Sequence, residues 1–380
     1  MKQPVVLQVL PQLRTGGVER GTIEIAGAVK RAGWQALVTS EGGPMISSLS
    51  YVGGEHIALP LASKNPLRIW HNARTLEKII RERKVDIVHA RSRAPGWSAY
   101  LAAKRTGIPF VTTFHGIYGL TPKLKKYYNE VMTRGERVIA ISHFVAQHIE
   151  ENYHVDAARM RTIHRGVDLK QFDPNRILPQ RMVELAARWR IPDDLPIIIM
   201  PGRITRWKGH HVLVEALAAL PHRKFFCLLV GDDMGHPNYR REIEQAASAR
   251  GLEGHIRFAG NTPHIAEAYM LADVVVAPSV EPEAFGRVPI EAQAMGRLVI
   301  ATDHGGACET IINGVTGWRV KPGDAAALSQ AVDHALQLPK AEKEHIGRQA
   351  MEHVREHFSA DIMCSKTLEV YWELIGKRYE

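Results

Sequence analysis

The sequence predicts an α/β fold built from two successive doubly wound halves, and three observations carry that expectation. Short β-rich runs alternate with helix-patterned segments along all 380 residues. The alternation breaks once and then restarts. The chain is also longer than one small core usually organises, so two domains are expected. In order, the strand-like runs fall at 5–10, 35–39, 85–90, 110–114 and 137–141, then at 196–200, 225–230, 256–259, 274–277 and 298–301. They are short and rich in Val, Ile and Leu, as strands covered on both faces are, and the helical patterns between them call for parallel sheets. Two sets of five strands imply two facing Rossmann-like βαβ domains with ligand in the interdomain cleft at the strand carboxyl ends. The expected limits are 1–175 and 190–358, joined by the polar, Pro-bearing stretch at 174–196. Periodicity assigns the long amphipathic segment after Ser359 to neither half; a helix at about 360–380 is free to pack back on the first.

Composition narrows the class. With 45% hydrophobic and 23% charged residues, the chain is an ordinary globular protein rather than a disordered one. Only Cys227, Cys308 and Cys364 occur, far apart and odd in number, which suits a reducing compartment and offers no thiolate metal cluster. The apolar stretches are strand-sized, too short for a bilayer span. The run at 5–10 is short for a signal peptide, ends in Pro11 and leads into Gly16-Gly17. A cytoplasmic location is expected.

Formal charge is 49 − 40 = +9, and it is unevenly placed. Residues 1–180 hold 26 Lys and Arg against 14 Asp and Glu, whereas residues 181–380 hold 23 against 26. The basic excess therefore belongs to the first half. Such an excess suits nucleic acid, an anionic membrane or a polyanionic substrate; a solvated lysine-rich surface is the plainer, less favoured reading, and a membrane-associated or phosphorylated acceptor fits better. No zinc-finger spacing, basic-region helix or aromatic RNA-binding signature occurs, so nucleic acid is not an expected partner.

The loops indicate the ligand by what they lack. After the first strand, Arg14-Thr15-Gly16-Gly17-Val18-Glu19 is not the G-x-G-x-x-G of a dinucleotide dehydrogenase, and no P-loop signature occurs. No Asp-x-Asp is present to hold a divalent metal on a diphosphate. The most informative segment is Glu283-Ala284-Phe285-Gly286-Arg287-Val288-Pro289-Ile290-Glu291. Pro289 reads as the first helical position, which places Glu291 in the first turn, where the dipole favours a carboxylate. Gly286 permits a ligand to approach backbone donors closely. An anionic, hydroxyl-rich ligand fits such a loop.

That segment, with its Glu-x7-Glu spacing and the following Ala294-Met295-Gly296, resembles the signature of the family-4 retaining glycosyltransferases of GT-B fold. Further matches occur in family order: Pro201-Gly202-Arg203 with Lys208-Gly209 resembles the G-R-x4-K-G element, and Leu229-Val230-Gly231-Asp232 the donor-domain strand. Arg165-Gly166-Val167-Asp168 resembles N-G-V-D with Arg replacing Asn, Gly305-Gly306 leads to Glu309, and Gly16-Gly17-Val18-Glu19 fits the N-terminal loop. Together they cover nearly the whole chain.

The resemblance implies a hexosyltransferase using a nucleotide-diphosphate sugar, with no metal and no other cofactor. Arg203 and Lys208 would bind the donor pyrophosphate, which without a metal must be neutralised by cations and N–H groups; as isolated residues they are simply charges beside a turn. Glu291 would accept the ribose hydroxyls, or act only as a helix-terminal carboxylate. Glu283 would sit by the sugar hydroxyls, and Phe285, Gly286 and Arg287 would contribute backbone contacts. Gly202 and Gly231 join the donor set, and the segment at 258–263 would frame the base. Gly16 and Gly17 would meet donor phosphate and acceptor, or form an ordinary turn. His115, at the end of a strand, would contact the reacting sugar in the resemblance; alone, such a His is more often a structural hydrogen-bonder.

Retention through a double displacement needs two carboxyl groups about 5 Å apart, and no second carboxylate is evident opposite Glu283. The family's proposed route is front-face substitution, in which the leaving diphosphate deprotonates the incoming hydroxyl, so His115, Arg203, Lys208 and Glu283 form the expected catalytic set. The basic first half is expected to bind the acceptor, with Arg91, Arg93, Trp97, Lys123, Lys125 and Lys126 as candidate contacts to a glycolipid or the anionic inner membrane surface. A lipopolysaccharide or envelope glycan acceptor is the favoured reading; a soluble phosphorylated acceptor or a nucleotide-sugar epimerase is the alternative. A phosphorylase would need a Schiff-base lysine that nothing singles out, and a mere polyanion-binding module would leave the carboxylates without a task.

Overall fold

The structure, a computed structural model, describes residues 3–14, 16–233, 235 and 237–379, apart from the side chains of residues 123 and 377–379. It divides into two compact units, residues 1–166 with 360–380, and residues 167–359.

The first unit holds a parallel seven-stranded sheet: β1 (Val5–Val9), β2 (Gln35–Ser40), β3 (Glu55–Ala58), β4 (Ile87–Ala90), β5 (Phe110–Phe114), β6 (Arg137–Ala140) and β7 (Met160–Thr162). Its spatial order is β3-β2-β1-β4-β5-β6-β7. The second holds a parallel six-stranded sheet: β8 (Ile197–Pro201), β9 (Phe226–Val230), β10 (Ile256–Gly260), β11 (Val274–Ala277), β12 (Leu298–Thr302) and β13 (Trp318–Val320), in the order β10-β9-β8-β11-β12-β13. Both orders reverse direction once, between β1 and β4 and between β8 and β11. At such a switch point the crossover helices diverge to opposite faces and leave a crevice at the strand carboxyl ends.

All ten expected strands form, within a residue or two at each end. The three additional strands, β3, β7 and β13, are only 4, 3 and 3 residues long and stand at sheet edges, half-buried. An edge strand is covered on fewer sides, so it needs no continuous apolar run and leaves little pattern in the sequence.

Apolar side chains cover both faces of the first sheet. On one face, Leu76, Ile80, Ala99 and Ala103 pack on Val5, Leu7, Val9 and Val88. On the other, Ile25, Ala26 and Val29 of the helix Gly17–Arg31 pack with Met363, Val370, Tyr371, Leu374 and Ile375 of the C-terminal helix Ala360–Tyr379. The segment that periodicity left unassigned is thus part of the first core. Each of the buried Val, Leu, Ile and Met side chains among them stabilises by about 1.5–3 kcal/mol relative to exposure. Trp34 meets Trp372 edge-on at 4.6 Å between ring centroids. Glu373 accepts from Arg137 Nε at 3.0 Å and Arg161 Nη2 at 3.1 Å.

The units divide at Gly166/Val167, earlier than the 175–190 boundary read from prolines. Val167 N donates to the Phe358 carbonyl at 2.8 Å and pairs with Ser359, so the chain enters and leaves the second unit side by side. The Pro-bearing stretch lies inside that unit as the helix Pro179–Arg188, with Leu185 buried.

Candidate active site

In the second unit, charged side chains collect at the β8/β11 switch point. The turn after β8 carries Gly202, exposed Arg203 and a single 3₁₀ turn, Arg206–Lys208. Gly231, after β9, stands so close to the Gly202 carbonyl that a Cβ would overlap it, which explains glycine there. Lys208 Nζ is 2.7 Å from Glu283 Oε1, and Ser279 Oγ donates to the same oxygen over 2.6 Å. Lys208 Nζ also lies 4.5 Å from the Trp207 ring centroid, with the Arg203 guanidinium at 6.0 Å from the same ring. The Ser279 carbonyl is held by Thr302 Oγ1 at 2.8 Å and His304 Nε2 at 2.9 Å; since a carbonyl only accepts, His304 carries its proton on Nε2. Burial holds His304 below the ordinary imidazole range. Glu283, Ser279 and Lys208 thereby form one hydrogen-bonded unit, only partly exposed.

The next helix spans Arg287–Ala294, with Gly286 as its N-cap at φ 73°. Pro289 is therefore the third helical residue rather than the first; its missing N–H still falls among the four that a helix start leaves unpaired. Glu291 then lies beyond the first turn, and the dipole no longer explains it. Its carboxylate is 8% exposed, accepts from the fully buried Tyr269 hydroxyl at 3.0 Å, and stands 3.2 Å from Arg287 Nη2. Phe285 is buried against Phe358, so only its backbone is available to a ligand.

In the first unit, the β1/β4 switch point is furnished differently. Gly16 caps the helix Gly17–Arg31 with an extended φ of 172°, which any residue adopts. Conformational need therefore does not account for it. His115 follows β5, half-buried, with Nδ1 3.5 Å from Arg165 Nη1 and with Nε2 shielded and without a partner among the described residues. Burial, then the charges of Arg91 and Arg165, hold His115 well below the ordinary range. Beside it, fully buried His89 bridges the Tyr371 hydroxyl (2.6 Å) and Thr113 Oγ1 (2.7 Å). A cavity of about 500 Å³ opens next to this edge, lined by Gln12, Arg14, Glu41, Gly42, Gly43 and Pro44, with Gln12 Nε2 donating to Glu41 Oε2 at 2.9 Å. A carboxylate, an amide and a guanidinium together suit a hydroxylated, anionic ligand.

Comparison with known proteins agrees with both units. Residues 15–171 match the profile described as Glycosyltransferase Family 4, and residues 183–353 match Glycosyl transferases group 1. A D-inositol 3-phosphate glycosyltransferase of Jonesia denitrificans is 30% identical over 301 residues, 73% of this chain and 70% of that protein. The crystal structure of a glycosyltransferase from Rickettsia africae is 44% identical, with a TM-score of 0.92 over 99% of both chains. This chain belongs to the family-4 glycosyltransferases. Its GT-B fold is shared with Anabaena HepE in complex with UDP and glucose, at 22% identity and a TM-score of 0.83 over 97% of this chain and 99% of that one.

Within this glycosyltransferase, the structure brings Lys208 and Glu283 together and sets Gly202, Arg203 and Gly231 around them, while Glu291 and Arg287 pair on the adjoining helix. The surface candidates fare unevenly. Arg91 is 2% exposed and cannot lie on a membrane; it stands in the core beside Glu24 and Tyr371. Arg93 donates to Asn129 Oδ1 at 2.8 Å, and Trp97 Nε1 donates to the Tyr128 carbonyl at 3.0 Å. Both hold down the helix Lys123–Asn129 rather than face solvent freely. Lys126 is half-buried with Nζ 5.8 Å from the Tyr153 ring, and the side chain of Lys123 lies outside the described residues. Lys125 is exposed, and so are Leu124 and Tyr127, at 76% and 55%. Sequence reasoning passed over Trp207, Tyr269, Ser279, Thr302 and His304. Trp207 sits inside the G-R-x4-K element and Ser279 just past a strand end, so position flags these two; Tyr269 and His304 carry no such signal.

Proposed function

We propose that this glycosyltransferase is a retaining hexosyltransferase that moves sugar from a nucleotide-diphosphate donor to a hydroxyl of a saccharide or glycolipid acceptor, without a metal, in lipopolysaccharide or envelope glycan synthesis. The carrying observation is the cationic edge after β8: exposed Arg203 and half-buried Lys208 share Trp207, and Lys208 is hydrogen-bonded to Glu283. Arg203 and Lys208 would hold the pyrophosphate and stabilise the charge that grows on it as the glycosidic bond breaks. Glu283, fixed by Ser279, would orient sugar hydroxyls, and Glu291 with Tyr269 would meet the ribose. In front-face substitution, the departing phosphate oxygen takes the proton of the attacking hydroxyl, so no second carboxylate is required. A thermal-shift panel of UDP, GDP and ADP sugars tests the donor: one should raise the melting temperature by mass action. No shift with any of them would overturn the nucleotide-sugar reading.

For the acceptor, exposed Leu124 and Tyr127 beside Lys125 suit the cytoplasmic surface of an anionic membrane. Among the described residues, no helix is long and apolar enough to cross a membrane, so attachment there would be peripheral. The second reading, a soluble phosphorylated acceptor, is favoured by the similarity to D-inositol 3-phosphate glycosyltransferases and by Arg14 in the first unit's cavity. Sedimentation with anionic vesicles separates the two. Binding at low salt that weakens at high salt, and is lost in Leu124→Ser/Tyr127→Ser, supports the membrane; protein left in the supernatant supports the soluble acceptor.

A further inference from the structure

We propose that Arg165 is a positioning residue of the first unit: it ties the Gly16-Gly17 turn to the end of β5 and fixes His115 as an Nε2–H donor toward a substrate hydroxyl oxygen. Arg165 is 4% exposed. Its Nη2 donates to the Gly17 carbonyl while its Nη1 stands 3.5 Å from His115 Nδ1. A guanidinium has five N–H donors and no acceptor, so the ring nitrogen facing it must offer a lone pair. In a neutral imidazole the remaining proton then sits on Nε2, the nitrogen that is shielded and without a partner among the described residues. An orphaned donor of this kind is costly unless a ligand supplies the acceptor. It cannot take a proton from an attacking hydroxyl, so His115 is a donor of a hydrogen bond and not a general base.

The surroundings are shaped for this arrangement. The groups facing His115 are Arg91 after β4, Arg165 after β7 and His89 on β4, with burial as the leading influence, and all of them disfavour an imidazolium. Glu24 from the helix Gly17–Arg31 stands by Arg91. On the same helix, Gly21 leaves room for the guanidinium: a Cβ there would stand 2.5 Å from Nη1 and 2.8 Å from Nη2. A β-carbon at 21 would thus push Arg165 off both partners. Arg165 fills the position where the family motif has Asn, and a neutral amide would lack both the charge and the two-pronged reach to Gly17 and His115.

The proposal rests on the sugar-transfer reading only for the identity of the oxygen that His115 meets, and two experiments keep them apart. First, the enzyme is labelled with ¹⁵N-imidazole histidine, and the His115 signal is assigned by its loss in His115→Gln. The expected spectrum at neutral pH shows His115 protonated on Nε2 and bare on Nδ1; an Nδ1–H tautomer or an imidazolium overturns the proposal. Second, transfer is measured with the donor found in the thermal-shift panel, for Arg165→Gln, His115→Gln and the double variant. Each single change is expected to lower kcat about tenfold, the size of one lost hydrogen bond, with donor KM nearly unchanged. The double should be no slower than the slower single. Multiplying effects would show that Arg165 does not act through His115. The protonation midpoint of His115, followed by its ¹⁵N shifts, should rise toward neutral pH in Arg165→Gln, because a cation that suppresses its protonation is gone; an unmoved midpoint overturns the electrostatic part. Gly21→Ala, which keeps both charges, is expected to reproduce the kcat loss and disturb the His115 signal, and a wild-type spectrum there overturns the cradle. If the tautomer is as assigned while His115→Gln transfers sugar at the wild-type rate, the tautomer stands and the sugar contact fails.

Discussion

Both units turn the carboxyl ends of their central strands toward a point where strand order reverses, yet they equip it in opposite ways. At the β8/β11 edge the charged groups are opposite in sign and paired: Lys208 on Glu283, partly open beside exposed Arg203, and Arg287 on the buried Glu291. At the β1/β4 edge two buried arginines stand among neutral histidines and hydroxyls, with the Glu24 carboxylate beside Arg91. An ion pair near water costs little to form and can be re-partnered by an incoming anion. A buried cation held by carbonyls and ring nitrogens is fixed in place. The same topology therefore supports an exchangeable site in one unit and a pre-set one in the other.

The comparison breaks most readily at Lys208. Lys208→Ala should lower turnover by about 10²–10³-fold under donor saturation, the usual size of losing a charge-stabilising donor, with acceptor KM changed far less. Part of that loss is Glu283 left without its cation. Turnover within twofold of wild type would mean the β8 edge does not carry the chemistry.

Acid sharpens the contrast within the second unit. His210 begins the helix His210–Ala218, is 1% exposed, and is pushed down to about 4 by burial. The unfolded chain takes up the proton first, near the ordinary value of 6.5, so stability is complete above pH 6.5 and falls as pH drops toward 4. The total is about 3 kcal/mol. Urea unfolding at pH 7.5 and 5 should show that slope in the wild type and a shallower one in His210→Phe; identical slopes would remove His210 as the cause.

A smaller effect probes the first unit's closing helix. The Arg137 hydrogen bond, reinforced by Arg161, pulls Glu373 down to about 2. A depressed carboxylate stabilises above its unfolded value and loses that contribution as pH falls through 2. The pair is partly solvent-exposed, which screens it, so Glu373→Gln should cost only about 1 kcal/mol at pH 7 in denaturant unfolding. No change would assign the helix's attachment to Tyr371 and its apolar neighbours alone.

The smallest expected effect is that of a chelator. If Arg203 and Lys208 neutralise the diphosphate, activity after EDTA treatment should stay within about twofold, because no metal-borne stabilisation is removed. Strict restoration by Mg²⁺ or Mn²⁺ would replace the cationic edge with a metal as the diphosphate's partner.

Much of the fold was legible because its signals are local. A strand covered on both faces must be apolar over four to six residues, and most of the thirteen strands announce themselves that way; of the four edge strands only β10 does so, while β3, β7 and β13 are too short and too open to leave a pattern. The Glu283–Glu291 segment was legible for the same reason, its meaning lying in spacing along one loop and helix. The start of that helix was not. Pro289 fits the first turn at either of two positions, and only the φ of 73° at Gly286 shows that the helix begins at Arg287.

The sequence by itself determined the two-unit α/β architecture, the half in which basic residues accumulate, and the loops that carry Arg203, Lys208 and Glu283. Tertiary structure decided which of those groups meet and which are hidden. Lys208 and Glu283 are 75 residues apart and His89 and Tyr371 are 282 apart, yet each pair shares a hydrogen bond. Arg91 and Arg93, two residues apart, differ instead: one is in the core and the other is tied to Asn129. The physical reason is that a parallel sheet brings every strand end to one edge through crossovers of variable length. Adjacency there is set by sheet order and packing, which no local spacing encodes.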